Sequence, residues 1–192
     1  MPPRKHQELL TAAIEREGEA QRRLIDGDLE TARGEFAAAA TLYQQSWEAA
    51  HARAFGRLVG MLKAAVLAGG GALEARYARA ALGKRDPESA TASYAQALAA
   101  LILGEDRDAR LWAGRMSAGD EAFARTGEAI SALAAHDDIR YAAALEAIVH
   151  DFERRSEHLT GVAIADTALT LEALAGRRGI RAAIVSPVLP IH

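Results

Sequence analysis

Alanine constrains this chain more than any other feature: it fills 46 of the 192 positions, while aromatic residues make up only 5%. Alanine loses no side-chain entropy on entering a helix and is depleted in strands, so a chain this rich in it is expected to build helices and no sheet. Half of the residues are hydrophobic, enough apolar surface to close one core in a chain of single-domain length. The expected fold is all-α, one domain over residues 1–192.

Charge and composition narrow the function classes. No cysteine is present, which removes disulfides, thiolate metal sites and cysteine nucleophiles and leaves His, Asp and Glu as metal ligands. The 23 basic and 26 acidic residues are interspersed and leave a net charge of −3. No field of one sign gathers phosphates, so nucleic acid is not an expected partner. Behind Arg4, Lys5 and His6 the chain is interrupted by Gln7, Glu8, Glu15 and Arg16, unlike the apolar core of a signal peptide. The most apolar window, Leu58 to Leu73, contains Lys63 and the run Gly69, Gly70, Gly71, and falls short of the roughly 20 residues a bilayer demands. A soluble, cytoplasmic protein without membrane contact is expected.

Capping and stop residues divide the chain into about seven or eight helices. The first is expected over Lys5 to Ile25, stopped by Asp26, Gly27 and Asp28. The second begins after Asp28 and reaches toward Ala68, with a kink or break near Gly56 and Gly60, each costing about 1 kcal/mol in a helix interior. After the glycine run a third spans Leu73 to Leu82. Asp86, Pro87 and Glu88 combine a cap, a proline at the first helical position and an acid in the first turn, and start a helix that runs to Leu103. Others follow over Glu105 to Met116, Asp120 to Ala135, Asp138 to about His158 and Val162 to Ala175. The tail from Ala182 to His192 is expected to be extended, because Pro187 and Pro190 cannot continue a helix, and its apolar residues to pack on the last helices.

A spacing recurs along these helices. Ala20, Gly27, Ala32, Phe36 and Ala39 place a small residue, a turn glycine, and then alanine, an aromatic and alanine on one face. Ala90, Tyr94 and Ala97 repeat part of it with Ala78 upstream. Ala109, Ala113 and Met116 do so after Gly104, and Tyr141, Leu145 and Ile148 after His136, with Ala129 and Ala132 upstream. Over about two thirds of the chain this resembles the tetratricopeptide repeat, a stacked array of helical hairpins with a concave binding surface. The usual tryptophan and terminal proline positions are unfilled, and the stretch from Gly60 to Gly69 breaks the period. An irregular antiparallel bundle rich in alanine would show similar spacing. The resemblance implies stacked antiparallel hairpins.

The C-terminal segment carries a second resemblance. Phe152, Glu153, Arg154 and Arg155 lead to Leu159, Thr160 and Gly161. An apolar helix then holds Ala165, Asp166, Thr167, Ala168, Leu169, Leu171 and Leu174. Arg177, Arg178, Gly179 and Ile180 close it before Ser186, Pro187, Val188, Leu189 and Pro190. Over about 40 residues this resembles the C-terminal end of all-helical immunity proteins from bacterial polymorphic toxin systems. The resemblance implies a non-catalytic protein that binds and neutralises a cognate toxin. It assigns no toxin-contact residue.

Candidate site residues lie on the helix after Asp138. Glu146, His150, Glu153 and Glu157 are spaced 4, 3 and 4 and fall within about 60° of one another around a helix, beside the apolar face of Tyr141, Leu145, Ile148, Val149 and Phe152. Such a stripe could hold a divalent metal, which is the metal-dependent hydrolase alternative. Bundle metal sites, however, draw matching ligands from facing helices. Display to a basic protein partner is the expected role, with no metal and no cofactor. His136 beside Asp137 is reminiscent of the His-Asp pair of metal phosphohydrolases, but His51 does not supply the further histidine at the required interval. Asp137 and Asp138 are expected to cap a helix. The glycine run lacks the following Lys-Ser or Lys-Thr of a phosphate loop, and no Gly-x-Ser-x-Gly elbow occurs. Trp47 and Trp112 are expected as core volume. The chain is therefore expected to be no enzyme but a protein-binding module. A generic adaptor, or a scaffold assembling through leftover alanine faces into a homo-oligomer, stands as the alternative.

Overall fold

The computed structural model describes residues 4–83 and 89–190. Among them are nine α-helices and no strand: α1 (Lys5–Ile25), α2 (Leu29–Ala49), α3 (Gly56–Leu67), α4 (Ala72–Leu82), α5 (Ala90–Leu103), α6 (Asp106–Met116), α7 (Glu121–Ala134), α8 (Asp138–Glu153) and α9 (Asp166–Gly176). No helix is long and apolar enough to cross a membrane.

Side-chain caps set several starts. The Asp28 carboxylate accepts the Thr31 N–H (3.2 Å), Ser89 Oγ accepts Ala92 N–H (3.2 Å), and Asp120 accepts Ala122 and Phe123 N–H (3.0 and 3.1 Å). Each satisfies a donor that the first turn leaves unpaired. Asp137 caps α8 through Arg140 N–H (3.0 Å), so Asp138 is not the cap but the first helical residue. The expected start at Asp86, Pro87 and Glu88 lies outside the described residues.

Three boundaries correct the sequence expectation. The long second helix is two helices, which raises the count to nine. The break falls at residues 50–55, before the glycines: Ala50 is extended and the rings of Trp47 and Phe55 meet at 5.9 Å across the turn. Gly56 then opens α3, and Gly60 lies within it because the Tyr43 ring occupies the space a Cβ would fill, 2.8 Å away. Helix α8 stops at Glu153, short of His158, as the chain turns back and stacks the His158 ring on Phe152 at 6.2 Å. The last helix starts at Asp166, after a loop that buries Val162, Ile164 and Ala165.

Successive helices pack as antiparallel hairpins. The α1 helix packs along α2, α2 against α3, and the pairs α3–α4, α5–α6 and α7–α8 follow, with α3 beside α5 and α5 beside α7. Close stacking follows from the composition. Ala13, Ala20, Ala39, Ala75, Ala78 and Ala109 are fully buried between helices, around larger side chains such as Phe36, Leu62, Leu98, Met116 and Leu145. Trp47 and Trp112 are only partly buried and flank this core. At Gly127 the backbone of α6 comes so near that an added Cβ would meet the Ala113 carbonyl at 2.7 Å.

The chain then folds back on itself. Helix α9 packs on α3, α7 and α8. Arg177 donates to the Gly70 carbonyl (2.9 Å), and Arg178 to the Leu101 carbonyl (2.7 Å) and Asp106 (3.0 Å). Beyond α9 the tail has no regular structure, with Ile180, Ala182 and Val188 buried. Its Val188 carbonyl accepts the Ala165 N–H (2.8 Å), and it turns at Ser186 to Leu189.

Candidate functional site

Two regions carry unassigned chemistry, and α8 contributes a different face to each. The first is the stripe singled out from sequence. Glu146, His150 and Glu153 are exposed on α8, with the His150 Nε2 4.0 Å from Glu153. Glu157 is also exposed but lies beyond the helix end, so the four residues are not one helical face. Glu153 is engaged, accepting the Ser186 hydroxyl at 2.6 Å and tying the tail to α8. Glu146 makes no ion pair or side-chain hydrogen bond among the described residues. In its place the stripe continues toward the N-terminus through Ala143 and Ile139, the latter 85% exposed. No group of three or more His, Asp or Glu side chains among the described residues is placed to hold a metal ion.

The second region was not anticipated. A cavity of about 750 Å³ opens between α1, α2, α3, the N-terminal ends of α5 and α7, the C-terminal end of α8, and the loop leading into α9. Its walls are apolar and aromatic, with Leu10, Ile14, Val59, Phe55, Phe123 and Phe152 among them. Gly60 keeps one wall thin by letting the Tyr43 ring lie against α3.

The inner end of the cavity is polar. Glu17 is 2% exposed, on the alanine-lined face of α1 between Ala13 and Ala20. The Tyr43 hydroxyl of α2 donates to one of its carboxylate oxygens at 2.6 Å. No basic side chain among the described residues forms an ion pair with it. Lys63 of α3 instead pairs with Asp166 of α9, the two side chains 13% and 17% exposed, and its ammonium also donates to the Thr167 hydroxyl at 3.3 Å. A hydrogen bond from Thr160 to Gln21 fastens the loop before α9 to α1.

The electrostatics follow from that arrangement. Burial raises the Glu17 carboxyl above its ordinary value and Asp166 adds to the rise, against the opposing pull of Lys63 and the Tyr43 hydrogen bond. Burial pushes the Tyr43 phenol up, as does the neighbouring Glu17. Burial alone would lower the Lys63 ammonium, but the charge of Asp166, assisted by Tyr94 and Glu17, holds it above its usual value. Two carboxylates and one ammonium therefore lie near one another in a largely apolar setting, with the ammonium paired to Asp166.

The rim is built differently. Asp151 lies between two guanidiniums, Arg125 at 2.8 Å and Arg155 at 2.6 Å, and Arg155 also stands over the Phe152 ring at 3.8 Å. Burial works to raise the Asp151 carboxyl, but the Arg155 hydrogen bond and the flanking arginines hold it below the ordinary range. The His158 Nδ1 is shielded from solvent and has no hydrogen-bond partner among the described residues.

Sequence does contain signals for this site. Glu17 is an acid on an alanine face, and Lys63 interrupts the most apolar window of the chain. Their convergence with Asp166 has no local signal, since Lys63 and Asp166 are 103 positions apart. Set beside protein-family models, curated proteins and solved structures, the chain matches none of them.

Proposed function

We propose that the chain is a non-catalytic binding protein whose partner is another protein with a basic face, most concretely an immunity protein that binds and neutralises a cognate toxin. The observation that carries this reading is the outer face of α8. Ile139, Ala143, Glu146, His150 and Glu153 recur at intervals of 4, 3, 4 and 3, all exposed, while Tyr141, Leu145, Ile148, Val149 and Phe152 bury the opposite side. An exposed isoleucine on the same face as the unpaired Glu146 carboxylate offers both apolar anchorage and charge steering. The side-by-side packing of α3, α5 and α7 supports the likeness to a tetratricopeptide array. In this reading the chain acts in the cytoplasm.

The test is affinity capture from the native host with the wild-type chain and with Glu146→Lys/Glu157→Lys. Glu153 is left intact because it anchors the tail. The expected result is one dominant protein partner whose affinity drops about tenfold or more in the variant at moderate salt, with the melting temperature unchanged because both carboxylates are exposed. Equal capture by the two chains would move the contact off α8, and failure to recover any protein partner would contradict the reading.

A further inference from the structure

The cavity is separate from the α8 surface, and nothing in the partner-binding reading uses it. Its inner end holds Glu17, 2% exposed, with one carboxylate oxygen bonded to Tyr43 and no cation paired to it among the described residues. An ionised carboxylate in such a position is costly unless something compensates it. The nearest ammonium, on Lys63, is committed to Asp166. Counting ionised groups at this end gives two negative charges and one positive, so one further positive charge neutralises it. Access comes through a space of about 750 Å³, inside the usual size range for a small-molecule pocket. Its aromatic walls, Tyr43, Tyr94, Phe55 and Phe123, accept both an apolar body and, at ring faces, a cationic head.

We propose that this cavity binds an apolar primary amine, with the ligand's ammonium seated on the Glu17 carboxylate beside Tyr43 and its hydrocarbon body along the aromatic walls. Four arginines, Arg53, Arg57, Arg125 and Arg155, also line the cavity. Arg125 and Arg155 are held by Asp151 and Arg57 donates to the Ser46 hydroxyl at 2.7 Å, so the seat for an ammonium is confined to the Glu17 end. The ligand completes an ion pair that the fold leaves half-built. The upward shift of the Glu17 carboxyl agrees with the missing counter-ion.

The probe is octylamine, with octanol as its neutral analogue and octanoate as its anionic one, titrated calorimetrically into the full chain. The wild type is expected to bind octylamine more tightly than either analogue. Glu17→Gln, which keeps the shape and an acceptor for Tyr43, is expected to weaken octylamine by about tenfold or more and to leave octanol unchanged. A second measurement needs only the wild type: octylamine affinity falls as pH is lowered through the Glu17 titration, with Lys63, Asp166, Tyr43 and Tyr94 as the facing groups, while octanol affinity stays level. Absence of octylamine binding, tighter binding of octanoate, an unchanged octylamine affinity in Glu17→Gln, or identical pH profiles for the amine and the alcohol would each overturn the proposal.

Discussion

His136 has a φ of 55°, the one non-glycine among the described residues with positive φ. It occupies the position that Gly27 and Gly104 hold elsewhere. After each of these the next N–H reaches back to close the helix: Asp28 to the Arg23 carbonyl (2.9 Å), Glu105 to Ala100 (2.9 Å) and Asp137 to Ala132 (3.0 Å). A residue with a Cβ is strained by roughly 1–2 kcal/mol in this conformation. Its side chain offers little in return, since the Nε2 contact with Asp106 is 3.3 Å long and the ring is 57% exposed. His136→Gly is expected to stabilise the chain by about 0.5–1 kcal/mol, after allowing for the greater freedom of glycine in the unfolded state. Urea unfolding checks it, and a midpoint equal to or below that of the wild type would contradict it.

At the scale of elements, local chemistry explains what the sequence made legible. The starts at Asp28 and Asp120, and the glycine stops, were readable because a cap or a left-handed turn is a property of a few adjacent residues. The break at residues 50–55 and the early end of α8 were not, because each depends on rings packing across a turn: Trp47 on Phe55 and His158 on Phe152. Gly60 shows the same limit. Its cost to the helix is local, but the Tyr43 ring that makes it necessary comes from another helix. The joint between α3 and α9 is of this non-local kind. Removing one partner of a mostly buried ion pair leaves the other uncompensated. Lys63→Met is therefore expected to cost about 3–5 kcal/mol, and Asp166→Leu in the same chain to recover at least half of that. Chemical denaturation of the single and double variants measures both. A double variant as unstable as the sum of the two singles would mean that the side chains do not act as a pair.

Across the whole molecule, the all-α hairpin stack was legible from alanine content and punctuation, whereas the way its end returns to its beginning was not. No short-range pattern joins Gln21 to Thr160, 139 positions away, or Lys63 to Asp166. The exposed stripe on α8 was visible because helical periodicity alone defines it, apart from Glu157, which the true helix end removes. The cavity exists only because α1, α2, α3 and the segment before α9 meet around Glu17.

That burial is the centre of the account, and pH reports it. A carboxyl whose value is raised on folding releases its proton more readily when unfolded, so it favours the folded state at low pH and loses that advantage as pH rises through its folded value. For Glu17 the window opens at the ordinary value of 4.5 and extends upward. The decisive measurement is the unfolding free energy of the wild type and Glu17→Gln from pH 4 to pH 8, taken as a difference so that all other titrating groups cancel. The expected result is a wild type that loses stability relative to the variant as pH rises above 4.5, by at most about 1.4 kcal/mol per pH unit. Parallel curves, or a wild type that gains on the variant with rising pH, would show that Glu17 is not enclosed between the first helices and the segment before α9.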